Sequence, residues 1–145
     1  MAGYAETDLL CYRADGPEPL VERQASAWDP MLDWAAETYG ARLAVTSGVM
    51  PVEQSQSDLD RLAARMRSMS NFQLTGFHDL VTLSGSYVLG LAATEPKFEI
   101  DRVWSLSRVD ELWQIEQWGE DEEALEHAEI KKNAFLHACD FFHAA

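Results

Sequence analysis

The order of apolar residues in this 145-residue chain points to a mainly α fold, a single helical bundle with at most one short β segment near residues 42–50. Three observations carry that expectation. Apolar side chains recur at spacings of three and four along most of the chain, the period of one helical face. Proline and glycine punctuate those stretches where helices end. Only one segment mixes apolar positions with β-branched neighbours. A hydrophobic fraction of 47% and an aromatic fraction of 10% are those of a folded globule, and a domain of this size buries about two-thirds of the surface its unfolded chain exposes.

Taken in order, "ETDLLCYRADGPEPL" begins with a cap at Thr7 or Asp8 and breaks at Gly16, Pro17 and Pro19, a short element followed by a turn. From Leu20 to Tyr39, Leu20, Gln24, Ala27, Trp28, Met31, Leu32, Ala35 and Tyr39 share one face, and Gly40 takes the place of a C-cap. Pro30, with Asp29 before it as a ready cap, predicts a kink or two helices meeting there. "ARLAVTSGVMPV" carries Leu43, Val45, Val49 and Val52 and is the strand-like segment, ended by Pro51.

A helix capped by Ser57 follows, with Asp58 and Asp60 in its first turn, arginines toward its end, and Leu59, Leu62, Ala63 and Met66 as its buried stripe. Leu74 to Ala93 is apolar nearly all round and reads as one central helix, whose Gly76, Ser84, Gly85, Ser86 and Gly90 let neighbours approach closely. The pattern resumes at Ile100, runs through Trp104, Leu106, Val109, Leu112, Trp113 and Ile115, and pauses at Gly119. A last helix from about Glu122 sets Leu125, Ala128, Phe135, Leu136, Cys139 and Phe142 on one face.

Twenty-five acids against 11 Lys and Arg give a formal charge of -14. That field repels phosphate backbones and anionic lipid, so no nucleic acid and no membrane is expected as partner, and basic or apolar protein surfaces are favoured. Cys11 and Cys139 stand far apart with no CxxC pair, which suits reduced thiols in a cytoplasmic compartment. "MAGYAETDLL" has no basic n-region leading into an apolar stretch.

Three places in the chain could carry chemistry. The acids of residues 110–129 have no Lys or Arg among them, yet consecutive carboxylates after a glycine supply no contrast between a buried acid and an ionised one. Alanines stand three residues before His127 and His137, where a helical di-iron site needs Glu, so no metal and no cofactor is expected. Cys139 with His143, and His78 beside Asp79, are the only candidates for a small enzyme; a buried structural thiol and a histidine capping or hydrogen-bonding within the core are the plainer readings. No catalytic residue is assigned.

Five tryptophans, at 28, 34, 104, 113 and 118, follow helical spacing and belong mostly to the core. Trp113 and Trp118, five apart, cannot face the same way on a regular helix, so one of them is exposed or seals a groove. An exposed ring rimmed by carboxylates is the makings of a protein-binding patch.

One ordered series of residues spans almost the whole chain. It comprises Thr7-Asp8, Cys11-Tyr12-Arg13, the acidic proline turn, Gln24, Trp28-Asp29-Pro30, Trp34, Tyr39-Gly40, and then Leu106-Ser107-Arg108, Glu111, Trp113-Gln114 and Trp118-Gly119. It resembles the C-terminal helical part of the ATP synthase catalytic-headpiece assembly chaperone family (ATP-twelve), in sequences of proteobacterial type.

The resemblance implies a non-catalytic role: binding the unassembled alpha subunit of the headpiece and preventing its aggregation before it meets beta. It implies residues 1–145 as one α-helical domain, monomeric, without the β-rich domain that precedes this region in the family: a C-terminal fragment, a segment chosen for expression, or a short homologue. It also implies a bacterial cytoplasm, or the mitochondrial matrix for eukaryotic relatives. By position it directs attention to Glu111, Trp113, Gln114, Glu116, Trp118, Gly119 and Glu120 as client-binding or motif residues. Glu111 is either the client-facing carboxylate or the partner of an internal salt bridge to Arg108 or Arg102. An acidic adaptor for another basic protein is the alternative.

Overall fold

The computed structural model describes residues 7–48 and 52–145. A 3-10 turn, Leu9–Cys11, leads into β1 (Tyr12–Arg13) and α1 (Glu18–Tyr39). Then follow β2 (Thr46–Ser47), α2 (Gln56–Arg67), α3 (Asn71–Ser84), α4 (Tyr87–Ala93), α5 (Ile100–Leu106), α6 (Val109–Trp118) and α7 (Glu122–Ala144). The fold is mainly α, and its one sheet among the described residues is two short parallel strands with Tyr12 opposite Thr46 and Arg13 opposite Ser47.

Asp8 is the cap expected near the start of the chain. Its carboxylate accepts from Leu10 N at 2.9 Å and, across the fold, from Val88 N at 3.0 Å, so one buried side chain closes both the 3-10 turn and the first turn of α4. The extended segment expected over residues 42–50 contracts to the two residues of β2. Ala44 does not join the ladder: the Gln54 side chain donates to its carbonyl at 2.9 Å and accepts from its N–H at 2.7 Å, which satisfies both backbone groups. Val49 and Pro51 lie outside the described residues.

Four boundaries differ from the sequence reading, each for a reason visible in its hydrogen bonding or exposure. Helix α1 runs unbroken through Pro30 and is not two helices. Pro30 and Ser26, the residue whose carbonyl loses its donor, are both exposed, so water can take the bond, while Asp29 pairs with Arg13 at 2.9 Å in place of capping. Ser55, not Ser57, holds the N-cap position of helix α2, without a side-chain cap bond; Ser57 lies inside the first turn and shares a 2.9 Å hydroxyl contact with Ser55.

The single central helix is two. Gly85 adopts φ 73°, sends its N–H to Val81 O, and Ser86 restarts the chain by accepting from Leu89 N. The run from Ile100 to Trp118 is also two helices, because Trp28 Nε1 donates to Leu106 O at 2.7 Å and occupies the carbonyl that a continuous helix would give to Asp110.

The core gathers around α4, every residue of which is buried. Phe77 meets Tyr87 edge to face at 5.2 Å, Tyr87 donates to Leu62 O at 3.1 Å, and Trp104 lies 5.2 Å from Phe135. Gly76 permits α3 and α7 to touch: a Cβ there would lie 3.2 Å from Ala138 O and from Phe142 Cα. The expected face of the last helix is split in depth. Phe135, Cys139 and Phe142 are core, Leu125, Ala128 and Leu136 are only half-buried, and the first half of α7 leans on the body with little covered. Among the described residues no helix is long and apolar enough to cross a membrane.

Candidate functional site

Helix α6 begins with Asp110 and Glu111, two acids where the helix dipole favours negative charge, and ends at Gly119. Gly119 holds φ 89° and returns its N–H to Ile115 O at 2.9 Å, a conformation that suits glycine. Two residues later Asp121 caps α7 by accepting from Glu123 N at 3.0 Å. A tight hinge therefore joins two helices whose facing sides are not closed together.

One side of α6 is bolted to α1. Asp110 accepts from Gln24 Nε2 at 2.6 Å, and Gln24 Oε1 accepts in turn from Ala14 N at 2.9 Å. Arg23 lies over the Trp113 ring at 5.1 Å from guanidinium to centroid and donates to the Glu116 carboxylate. Val109 is buried beneath them. The positions 109, 113 and 116 recur at four and three, so this is the inner face of the helix.

The opposite face, at 111, 114, 115 and 118, stays open. Trp118 is 85% exposed, the most exposed of the large apolar side chains described. Between it and the start of α7 lies a cleft of about 280 Å³ walled by Ile115, Trp118 and Leu125, with Arg108, Glu111 and Asp121 at its edge. A second hollow of about 420 Å³ shares Arg108 and Glu111 with it and is lined also by Leu9, Leu83, Trp104 and Lys131. Among the described residues Glu111 makes no ion pair with Arg108 or Arg102.

The seven motif residues thus divide. Glu111, Gln114, Trp118 and Gly119 border the cleft, Trp113 and Glu116 belong to the contact with α1, and Glu120 is exposed beyond the hinge. Trp28, Trp34 and Trp104 are core residues as their spacing predicts, and of the remaining pair it is Trp118 that faces water. The acids from Glu120 to Glu129 are exposed, whereas Asp110 is half-buried and hydrogen-bonded. Residue order does not mark Gln24 and Arg23 as site residues; the one signal it offers is a glutamine inside the apolar stripe of α1, since a polar group buried there must find a partner.

The other candidates for chemistry stand elsewhere. Cys139 Sγ donates to Ala93 O at 3.6 Å, and a ring nitrogen of His143 lies 3.1 Å from that same carbonyl, so the two side chains share an acceptor rather than forming a thiol–imidazole contact. Burial, with the Asp140 charge beside it, pushes the Cys139 thiol up, against thiolate formation. Burial drives the Cys11 thiol up to about 12. His78 is exposed on α3 and not a core histidine as expected. Among the described residues no three His, Cys, Asp or Glu side chains gather as a metal ion would need.

The family described as ATP12 chaperone protein matches residues 1–36. The crystal structure of Atp12 from Paracoccus denitrificans is similar at a TM-score of 0.94 and 46% identity, covering 98% of this chain and 61% of that one. An Asp-to-Lys mutant of the same protein matches equally. The Atu1473 protein of Agrobacterium tumefaciens aligns at a TM-score of 0.94 and 38% identity, over 98% of this chain and 53% of its own. The chain therefore spans between 53% and 61% of the length of these solved relatives.

Proposed function

We propose that this chain, similar to the ATP12 chaperone family over residues 1–36 and to solved Atp12-type structures at 38–46% identity, is an ATP12-type chaperone that binds the unassembled alpha subunit of the ATP synthase catalytic headpiece and keeps it from aggregating until beta replaces the chaperone. The observation that carries this reading is the open face of α6, where Trp118 stands in water beside Glu111, which makes no ion pair among the described residues. A large exposed ring costs solubility unless something covers it, and carboxylates around it select a partner with basic groups. Glu111, Gln114, Trp118 and Gly119 are the client-facing residues. Trp113 and Glu116 hold α6 in place, and Glu120 extends the acidic rim.

The work is holding, not transforming. An orphan ring subunit exposes the apolar surface meant for its neighbour, and reversible cover over that surface suppresses wrong association. The net charge of -14 keeps the loaded complex dispersed and speeds encounter with a basic surface. The protein works as a monomer in the bacterial cytoplasm, and a relative in eukaryotes works in the mitochondrial matrix.

Size-exclusion chromatography with purified alpha subunit tests this, alongside light scattering of alpha on warming. The unmodified protein should co-elute with alpha and lower its scattering without nucleotide, and Glu111→Lys should weaken the complex while leaving helicity intact. Absence of both complex and protection would sink the proposal. Equal loss of binding and helicity in Glu111→Lys would assign Glu111 to the fold instead.

A further inference from the structure

Among the described residues, Arg108 is the one part-buried cation left without a partner: its side chain makes no hydrogen bond, ion pair or ring contact. The other Lys and Arg residues withdrawn from full exposure each have one: Arg13 with Asp29, Arg23 with Glu116, Arg65 with Ser68 and Lys132 with Asp101. Glu111 lies three residues on, within helical reach, and does not pair with it. With 25 acids in the chain against 11 Lys and Arg, a guanidinium without a carboxylate reflects its position and no shortage of acids.

Its place in the helix also runs against local preference. Arg108 is the N-cap of α6 and makes no side-chain cap bond, whereas Ser70, Ser86 and Asp121 cap their helices by accepting from the first turn. A guanidinium has no acceptor to offer there, and the helix dipole opposes a cation at that end. Residues that break local rules without a gain inside the fold gather at functional sites. Arg108 borders both hollows beside α6, so an occupant of either one meets it.

Resting on the client reading above, we infer that Arg108 anchors the client: its guanidinium donates to an oxygen of the bound alpha subunit, a main-chain carbonyl or a carboxylate. A part-buried guanidinium has already given up some of its water, and its planar fork is pre-organised, so an acceptor is gained at small further cost. Arginine is prominent among the few residues that dominate binding energy at protein interfaces. The surrounding carboxylates only accept hydrogen bonds, and this side chain supplies the donors they lack.

Arg108→Met tests this, since methionine keeps much of the apolar stem and removes every donor. Acidic steering predicts that losing a positive charge leaves binding unchanged or tighter, and an anchor predicts the opposite. Titration calorimetry of the full natural chain against isolated alpha subunit should show binding weaker by about ten-fold or more for Arg108→Met and within about two-fold for Arg102→Met, at equal melting temperatures. Arg102 is an exposed cation on α5 that borders neither hollow. Repeating the titrations at high salt identifies the acceptor, because the deficit of Arg108→Met shrinks for a carboxylate and holds for a carbonyl, and the anchor stands in both cases. Unchanged or tighter binding by Arg108→Met overturns the anchor and leaves the chaperone reading standing. Weaker binding matched by a lower melting temperature assigns Arg108 to the fold and overturns the anchor too. If the unmodified chain forms no complex with alpha, the chaperone reading falls, and the anchor, stated for that client, falls with it.

Discussion

Gln24 and Asp110, 86 positions apart, are joined by a 2.6 Å hydrogen bond that carries α6 onto α1. Gln24 also accepts from Ala14 N, so one amide ties the segment after β1, the long first helix and the helix that bears the open face. The side chain is 2% exposed. Gln24→Leu should cost about 2 kcal/mol, since it strands the Ala14 N–H and one Asp110 oxygen. Urea unfolding measures this, and a loss near zero would mean water replaces the amide without penalty.

Asp8 should make stability depend on pH in an unusual direction for an acid. Burial raises its pKa from 3.8 to about 6, outweighing the hydrogen bonds from Val88 and Leu10 that lower it. The folded state then holds the proton more tightly than the unfolded chain. Its contribution is fully present below about pH 4 and is lost as pH rises through about 6, on the order of 3 kcal/mol in all. The difference in unfolding free energy between the natural chain and Asp8→Asn should therefore fall between pH 4 and pH 6 and stay level above. Comparing the pair cancels the titration of the other acids. A difference that grows over that interval would show the carboxyl to be lowered instead.

Gly90→Ala should destabilise by about 1–3 kcal/mol through overpacking, because the added Cβ would sit 2.6 Å from Val81 Cγ2. Removing the obstacle tests the cause. In a double-mutant cycle with Val81→Ala, the cost of Gly90→Ala should shrink by more than about 1 kcal/mol. Strict additivity would place the strain elsewhere.

Trp118 and Trp113 should separate binding from stability. Trp118→Ala should leave the unfolding free energy within about 0.5 kcal/mol, as exposed positions do, while weakening the complex with alpha. Trp113→Ala removes the ring beneath Arg23 and should lower stability by about 1–2 kcal/mol, the range of an aromatic and cation contact with partial burial. Chemical denaturation read by circular dichroism distinguishes them, and equal costs would contradict the two-faced description of α6.

Neither thiol should react with Ellman's reagent in the native state. Cys11 is fully buried, Cys139 is 8% exposed, and burial raises the pKa of both. Two thiols should appear on unfolding in guanidinium. Rapid native labelling of Cys139 without loss of helicity would show that the end of α7 opens freely.

Much of this architecture was legible in residue order. Helical period, the stops at Gly40 and Gly119, the start of α7 near Glu122 and the three core tryptophans follow from spacing and from backbone preferences, which act within a few residues. The acids of the last helix declared themselves surface by their number, since so many charges cannot leave water together. The conflict between Trp113 and Trp118 was visible too, because five residues on a helix turn a side chain well away from its neighbour.

Tertiary structure decided the rest, and for one physical reason. An apolar period continues across a helix break when both pieces lie on the same core, so periodicity cannot locate Gly85 or Ser107 as boundaries. What settles a boundary is which backbone carbonyl or amide finds a partner, and those partners came from afar: Trp28 for Leu106, Asp8 for Val88. By the same logic, sequence placed an aromatic and acidic motif at residues 111–120, but only packing against Arg23 and Gln24 chose which face of α6 would be covered and which would be left open to a partner.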